Sequence, residues 1–259
     1  MPIQIKSFTL LRISKFTKTQ IESFMSLQIP LFTSEQIPLF TTEQISFFTI
    51  EQIRSFTSSQ ILHFTKTQIS SFWSWQIQSL TKEQIQSLTK VQIASFTLEQ
   101  IRWFTLLQIQ SFTPEQIPYF TAEQIPEFTL EQIQSFTPLQ ISSFTKEQIP
   151  KFIAKQIKSF WSSQIEVFTG EQISSFINIQ ISSFTEQQIA SFLPLQIPFF
   201  TDMQIQWFRA DQRKFFKVIR IPIINKLKTS SLIIKENQIF VEEKIRKKSN
   251  QWSLKKFDF

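Results

Sequence analysis

The chain is 259 residues long and contains no cysteine, a single glycine and a single histidine. Without cysteine there is no disulfide framework, no thiol catalysis and no Cys-ligated zinc. One glycine excludes phosphate-cradling loops and dinucleotide fingerprints, which need several positions where only Gly fits. One histidine, His63, excludes His-rich metal sites. The start, Met1-Pro2-Ile3-Gln4-Ile5-Lys6, lacks the basic and apolar regions of a secretory signal. No stretch approaches the roughly 18 apolar residues of a membrane span, so the cytoplasm is the default expectation. The 31 phenylalanines are what the chain has in excess.

Those phenylalanines keep a period of eight. Phe stands at every eighth position from Phe8 to Phe208, replaced only by Leu80 and Leu88. Ile does so from Ile5 to Ile205 without exception, and Gln from Gln4 to Gln212 with Arg12 the one departure. The unit reads Phe-Thr-x-(Glu)-Gln-Ile-x-Ser, as in Phe112-Thr113-Pro114-Glu115-Gln116-Ile117. Counting Phe as position 1, Ile falls at position 6, and opposite parity would send the two to opposite faces of a strand. A long helix fits no better, because eight residues turn it about 80° past two full turns and the apolar stripe would wander.

A short capped helix fits. Thr with Gln three residues later is a capping box, and Phe before it with Ile after it is the hydrophobic staple pair. Glu at position 4, as in Glu35, Glu43, Glu51 and Glu115, faces the positive end of the helix. Proline occurs in the repeats at only two unit positions. Pro114, Pro138 and Pro194 occupy the first helical position, which proline favours. Pro30, Pro38, Pro118, Pro126, Pro150 and Pro198 directly follow the Ile, where proline lacks an amide and disfavours helical geometry before it. Each helix is therefore expected to end there after about one turn. One-turn helices do not stand alone, so the units must stack cooperatively. The expected fold is an all-α solenoid of one-turn capped helices over residues 1–208, with a Phe/Ile core. No 16- or 24-residue super-period is visible, which leaves the number of units per coil open. No unit uses Glu in place of the capping Gln, although a capping box accepts either; stacked units would form a partly buried ladder of neutral amides where carboxylates would repel.

The repeat decays after Phe208. Residues 209–259 hold 14 Lys/Arg and 5 Asp/Glu, a net charge of +9, whereas residues 1–208 carry −2. This basic region is read as a cap or tail, with a hairpin over 231–240 turning near Glu236-Asn237 and a basic helix over 242–256. At the other end the chain opens in mid-unit, as a piece of a longer repeat would, or as an end that pairs with another copy would.

The repeating residues 4–208 resemble the tandem octads, Leu-Thr-x-x-Gln-Val/Ile-x-x, of large bacterial repeat proteins, with Phe in place of Leu. That resemblance implies a bacterial repeat protein and brings no activity with it. Phe112-Thr113-Pro114-Glu115-Gln116-Ile117 also resembles the first-helix start of the DNA-reading repeats in transcription-activator-like effectors. The remainder of that longer repeat, including its base-reading loop, is absent, so DNA readout does not carry over.

Candidate sites are few. Trp73 and Trp161 replace the capping Thr, Trp75 follows two residues after Trp73, and Trp103, Tyr119 and Trp207 replace the position 8 Ser. Such aromatics are enriched at interfaces, so these six are the candidate partner-binding residues. Arg246, Lys247, Lys248, Lys255 and Lys256 are the candidate anion-binding residues. The Glu rows 35/43/51 and 115/123/131 would bind cations only if they aligned. No nucleophile elbow exists, and a Ser–His pair has only His63 to draw on. The expectation is a non-enzymatic scaffold with no cofactor, binding a protein partner or copies of itself. The alternative is nucleic-acid or anionic-membrane binding through residues 209–259.

Overall fold

Each octad folds in the same way. A computed structural model of the chain describes residues 5, 8–213, 230–235, 238–243 and 254–255. In the helix Ile50–Ser55 the cap Thr49 is extended (φ −71°, ψ 168°). The Gln52 amide donates to the Thr49 hydroxyl at 3.3 Å, and the Thr49 amide donates to Gln52 Oε1 at 2.9 Å. The next Phe56 is again extended (φ −63°, ψ 132°), and its amide closes the helix on the Ile53 carbonyl at 3.3 Å. Two extended residues, Phe and Thr, thus make each corner. The described caps all have negative φ, which is why the array needs no glycine at its corners.

Proline after Ile does not end the helix, contrary to expectation. It tightens it: Ile37–Leu39, Ile125–Glu127, Ile149–Lys151 and Ile197–Phe199 are 3₁₀ turns that each contain the proline. The residue after the proline donates three residues back, as in Leu39 N–H to the Gln36 carbonyl at 3.1 Å, so the missing proline amide leaves no gap. Both versions stop at the next Phe.

The chain divides into two compact units, residues 1–159 and 160–259. In the first, helices 24 residues apart lie against each other: Ile50–Ser55 on Ser74–Ser79, Ser58–Ile61 on Lys82–Ser87, Lys66–Ser70 on Lys90–Ser95. Three octads therefore close one coil, and successive octads occupy successive sides. Phe rings from neighbouring sides meet edge to face along the centre, from Phe8–Phe16 at 5.2 Å to Phe64–Phe72 at 5.6 Å. Leu80 and Leu88 interrupt this file, which resumes at Phe96–Phe104 (5.0 Å). Ile at position 6 is fully enclosed, at 0–1% exposure from Ile13 to Ile157.

From Gln28 onward the position 5 glutamines are buried, as the ladder required, whereas Gln20 is exposed, and the buried amides reach backbone carbonyls instead of one another. Gln44 accepts the Thr41 amide on Oε1 at 2.9 Å, and its Nε2 donates to the carbonyls of Ile13 at 3.0 Å and Phe16 at 2.9 Å, one coil back. The same fork recurs at Gln60, Gln84, Gln108 and Gln132. One amide caps its own helix and donates to two carbonyls at the end of a helix in the coil below, the Phe or Leu carbonyl and the Ile carbonyl that also accepts the following Phe or Leu amide.

The second unit repeats this plan. Gln196 donates to the Ile165 and Phe168 carbonyls at 3.0 and 2.8 Å, and Gly170–Ser175 lies against Ile197–Phe199. The lone Gly170 is set by space. A Cβ there would lie 2.5 Å from the Phe199 ring. Further on, β1 (Ser230–Lys235) and β2 (Gln238–Glu243) form the expected antiparallel hairpin, with Lys235 opposite Gln238 and the turn residues 236–237 outside the described residues. The expected basic helix over 242–256 is corrected. Glu242 and Glu243 continue β2, and Leu254–Lys255 forms β3, with Glu242 opposite Leu254. The β-branched Ile239 and Val241 favour extended backbone past Phe240, and pairing with β3 satisfies it.

Candidate functional site

Coil closure puts residue 73 beside 49 and residue 75 beside 51, and this builds a groove where two sides of the first unit meet. Lys18, Glu22, Ser46 and Phe47 come from one side, and Thr49, Ile50, Glu51, Trp73 and Trp75 from the next. They line an open depression of about 700 Å³. Trp73 stands at a cap position, where its amide still donates to Gln76 Oε1 at 2.9 Å. Its side chain supplies no acceptor for the helix and is 56% exposed, with Trp75 at 36%. Ile50 is also exposed and Phe47 is half-buried.

The polar lining is partly engaged. Lys18 Nζ lies 3.7 Å from the Glu22 carboxylate and 6.0 Å from the centre of the Phe47 ring. The Ser46 hydroxyl donates to the Glu43 carbonyl at 2.6 Å, and the Thr49 hydroxyl accepts from the Gln52 amide. Glu51 titrates below the usual carboxylate range, because its own backbone amide and then the Thr49 hydroxyl favour the charged form. The groove therefore offers exposed aromatic surface, aliphatic area and carboxylates.

Of the six candidate partner-binding aromatics, only Trp73 and Trp75 come together in this groove. Trp103 and Tyr119 are half-buried elsewhere on the first unit. Trp161, 56% exposed, and the half-buried Trp207 belong to the second unit. Arg246, Lys247, Lys248 and Lys256 lie outside the described residues, and Lys255 is placed only as a backbone position of β3. His63 is exposed. The Glu rows 35/43/51 and 115/123/131 do not align, because consecutive octads occupy different sides of the coil. Among the described residues no cluster of three His, Asp or Glu is placed to hold a metal ion, and no helix is long and apolar enough to cross a membrane.

Sequence reasoning singled out the two tryptophans but not Lys18, Glu22, Ile50 and Glu51 as their neighbours. The missing signal was the 24-residue offset, which no residue pattern advertises. In comparisons with known proteins, no family model and no curated protein matches this chain.

Proposed function

We propose that the protein is a non-enzymatic repeat scaffold that binds a protein partner in the Trp73–Trp75 groove. The observation that carries this reading is the pair of exposed indoles gathered with Phe47 and Ile50 in one cleft. Folding does not account for Trp73: the substitution forfeits the hydroxyl cap found at Thr49 and leaves the indole largely in water. A cap residue contributes about 0.5–2 kcal/mol, and exposed Trp is a common interface anchor. Trp161 makes the same exchange in the second unit, so the reading rests on the Trp73–Trp75 cluster and not on the single residue.

The test uses a variant with the residues that another octad has at these positions, Thr57 and Ser59, namely Trp73→Thr with Trp75→Ser. Wild type and variant are used as bait in lysate of the expressing cells, and retained proteins are quantified by mass spectrometry. The expected result is a set of proteins held by the wild type and released by the variant. Equal retention would remove the groove from the reading, and no specific retention by the wild type would remove the scaffold.

A further inference from the structure

We propose that the groove recognises an arginine side chain presented by an extended peptide of the partner. This rests on the scaffold reading and names the chemistry its site would select.

Three observations converge on a cation. Two indoles expose their surfaces in one cleft, and indole is the strongest of the side-chain rings at attracting a cation. The groove already holds one cation near a ring, Lys18 by Phe47. The charges of the lining also favour it. Lys18 is engaged with Glu22, which leaves Glu51 the carboxylate of the groove without an ion-pair partner within it. Glu51 stays charged to lower pH than an ordinary glutamate, since its backbone amide and the Thr49 hydroxyl stabilise the anion.

Arginine suits this lining better than lysine. Its guanidinium is planar, stacks on an indole face, is weakly hydrated and presents a fork of donors to a carboxylate. The apolar neighbours Ile50 and Phe47 would cover the methylene stem. A cleft of about 700 Å³ has room for the residues flanking the arginine. An acidic peptide would face Glu22 and Glu51, with Lys18 already engaged by Glu22 and the nearby Arg54 already acting on Glu51 from outside the lining.

The experiment measures fluorescence anisotropy of a labelled octapeptide containing two arginines and two leucines, against the full chain. Its matched partner carries citrulline, the neutral isostere, at both arginines. The arginine peptide is expected to bind about tenfold more tightly than the citrulline peptide, the scale of a partly desolvated cation–π contact. Trp73→Thr/Trp75→Ser is expected to abolish that preference with no loss of melting temperature. Glu51→Gln, at an exposed position, is expected to weaken arginine binding severalfold. Equal affinity for the two peptides would overturn the cation and leave the groove as an apolar dock. Arginine binding that ignores the tryptophans and falls steeply with salt would place the contact elsewhere and overturn the inference. No binding of the arginine peptide would overturn it too, and the lysate comparison then decides separately whether the scaffold reading stands.

Discussion

Replacing Gln116 by Glu tests what holds the coils together. Gln116 is 4% exposed. Its Oε1 accepts the Thr113 amide at 2.9 Å, while Nε2 donates to the carbonyls of Ile85 and Leu88 at 2.9 Å each and meets the Gln86 carbonyl at 3.2 Å. Glutamate keeps the acceptor and loses both hydrogens, turning an oxygen toward carbonyl oxygens. The Leu88 carbonyl is left without a donor, at about 1–3 kcal/mol, and the Ile85 carbonyl, which keeps the Leu88 amide at 3.1 Å, loses one of its two bonds, at about 0.5–1.5 kcal/mol; a buried carboxylate facing both adds to that until it takes a proton. The expected loss at pH 8 is about 3–6 kcal/mol, or about 6–24 °C in melting temperature for a chain of this size. Burial and the facing carbonyls raise the folded-state pKa of this Glu above its unfolded value of about 4.3. The penalty is therefore full above the raised folded value and shrinks as pH falls toward the unfolded one. Gln116→Met removes the same donors without a charge and should lose stability with no such pH dependence. Thermal melts of both variants by circular dichroism between pH 8 and pH 5 separate the cases. A Gln116→Glu melting point within about 2 °C of wild type at pH 8 would refute the bridging argument, as would identical pH profiles for the two variants.

Three further outcomes follow from the packing. Phe112→Ala empties a site 2% exposed between Phe104 and Phe120, whose ring centres lie 5.3 and 5.0 Å away, and should cost about 3–5 kcal/mol in urea melts; Phe112→Leu should cost much less, as Leu80 and Leu88 already serve there. Gly170→Ala drives a methyl group into the Phe199 ring, 2.5 Å from the Cβ position, and should destabilise by about 1 kcal/mol. In a Phe199→Ser background the same change should be neutral or stabilising by up to about 1 kcal/mol, a coupling that a double-mutant cycle reads directly. Glu35, Glu51, Glu83, Glu115, Glu123 and Glu131 all titrate low, each through its own backbone amide first and the capping Thr hydroxyl second. A depressed folded value means that their contribution is present above the unfolded pKa of about 4.3 and is lost as pH falls through the folded one. Denaturation midpoints should therefore drop below about pH 4, and replacing these glutamates by Gln should flatten that decline.

The local rules were legible because they act within one octad. Thr, Gln, Phe and Ile at fixed offsets specify where a stacked unit turns into a helix, and the α-helices from Lys18–Glu22 to Asp202–Trp207 start where the capping box put them, whereas Ile37–Leu39, Ile125–Glu127, Ile149–Lys151 and Ile197–Phe199 start at the Ile. Proline misled at one point. Its effect was read against an α-helix, whereas the last turn relaxes to 3₁₀ geometry that needs no amide at Pro38 or Pro126. The tail misled where the charge of residues 242–256 was weighed above the extended preference of Ile239 and Val241, whose strand runs on to Glu243.

The sequence by itself determined the repeat, its capped helix starts and which residues are apolar, since each is written within one octad. Only the tertiary structure decided that three octads make a coil. That number depends on how large Phe rings pack edge to face around a shared centre and on which earlier carbonyls the Gln amides reach, 28 and 31 residues back. Because the octads present the same Phe, Gln and Ile with only Leu80, Leu88 and Arg12 departing, the pattern holds no mark of which one lies beneath another. The groove inherits this: Trp73 and Trp75 share a lining with Thr49 and Glu51 only after the coil has closed, since 24 residues of chain separate what packing brings together.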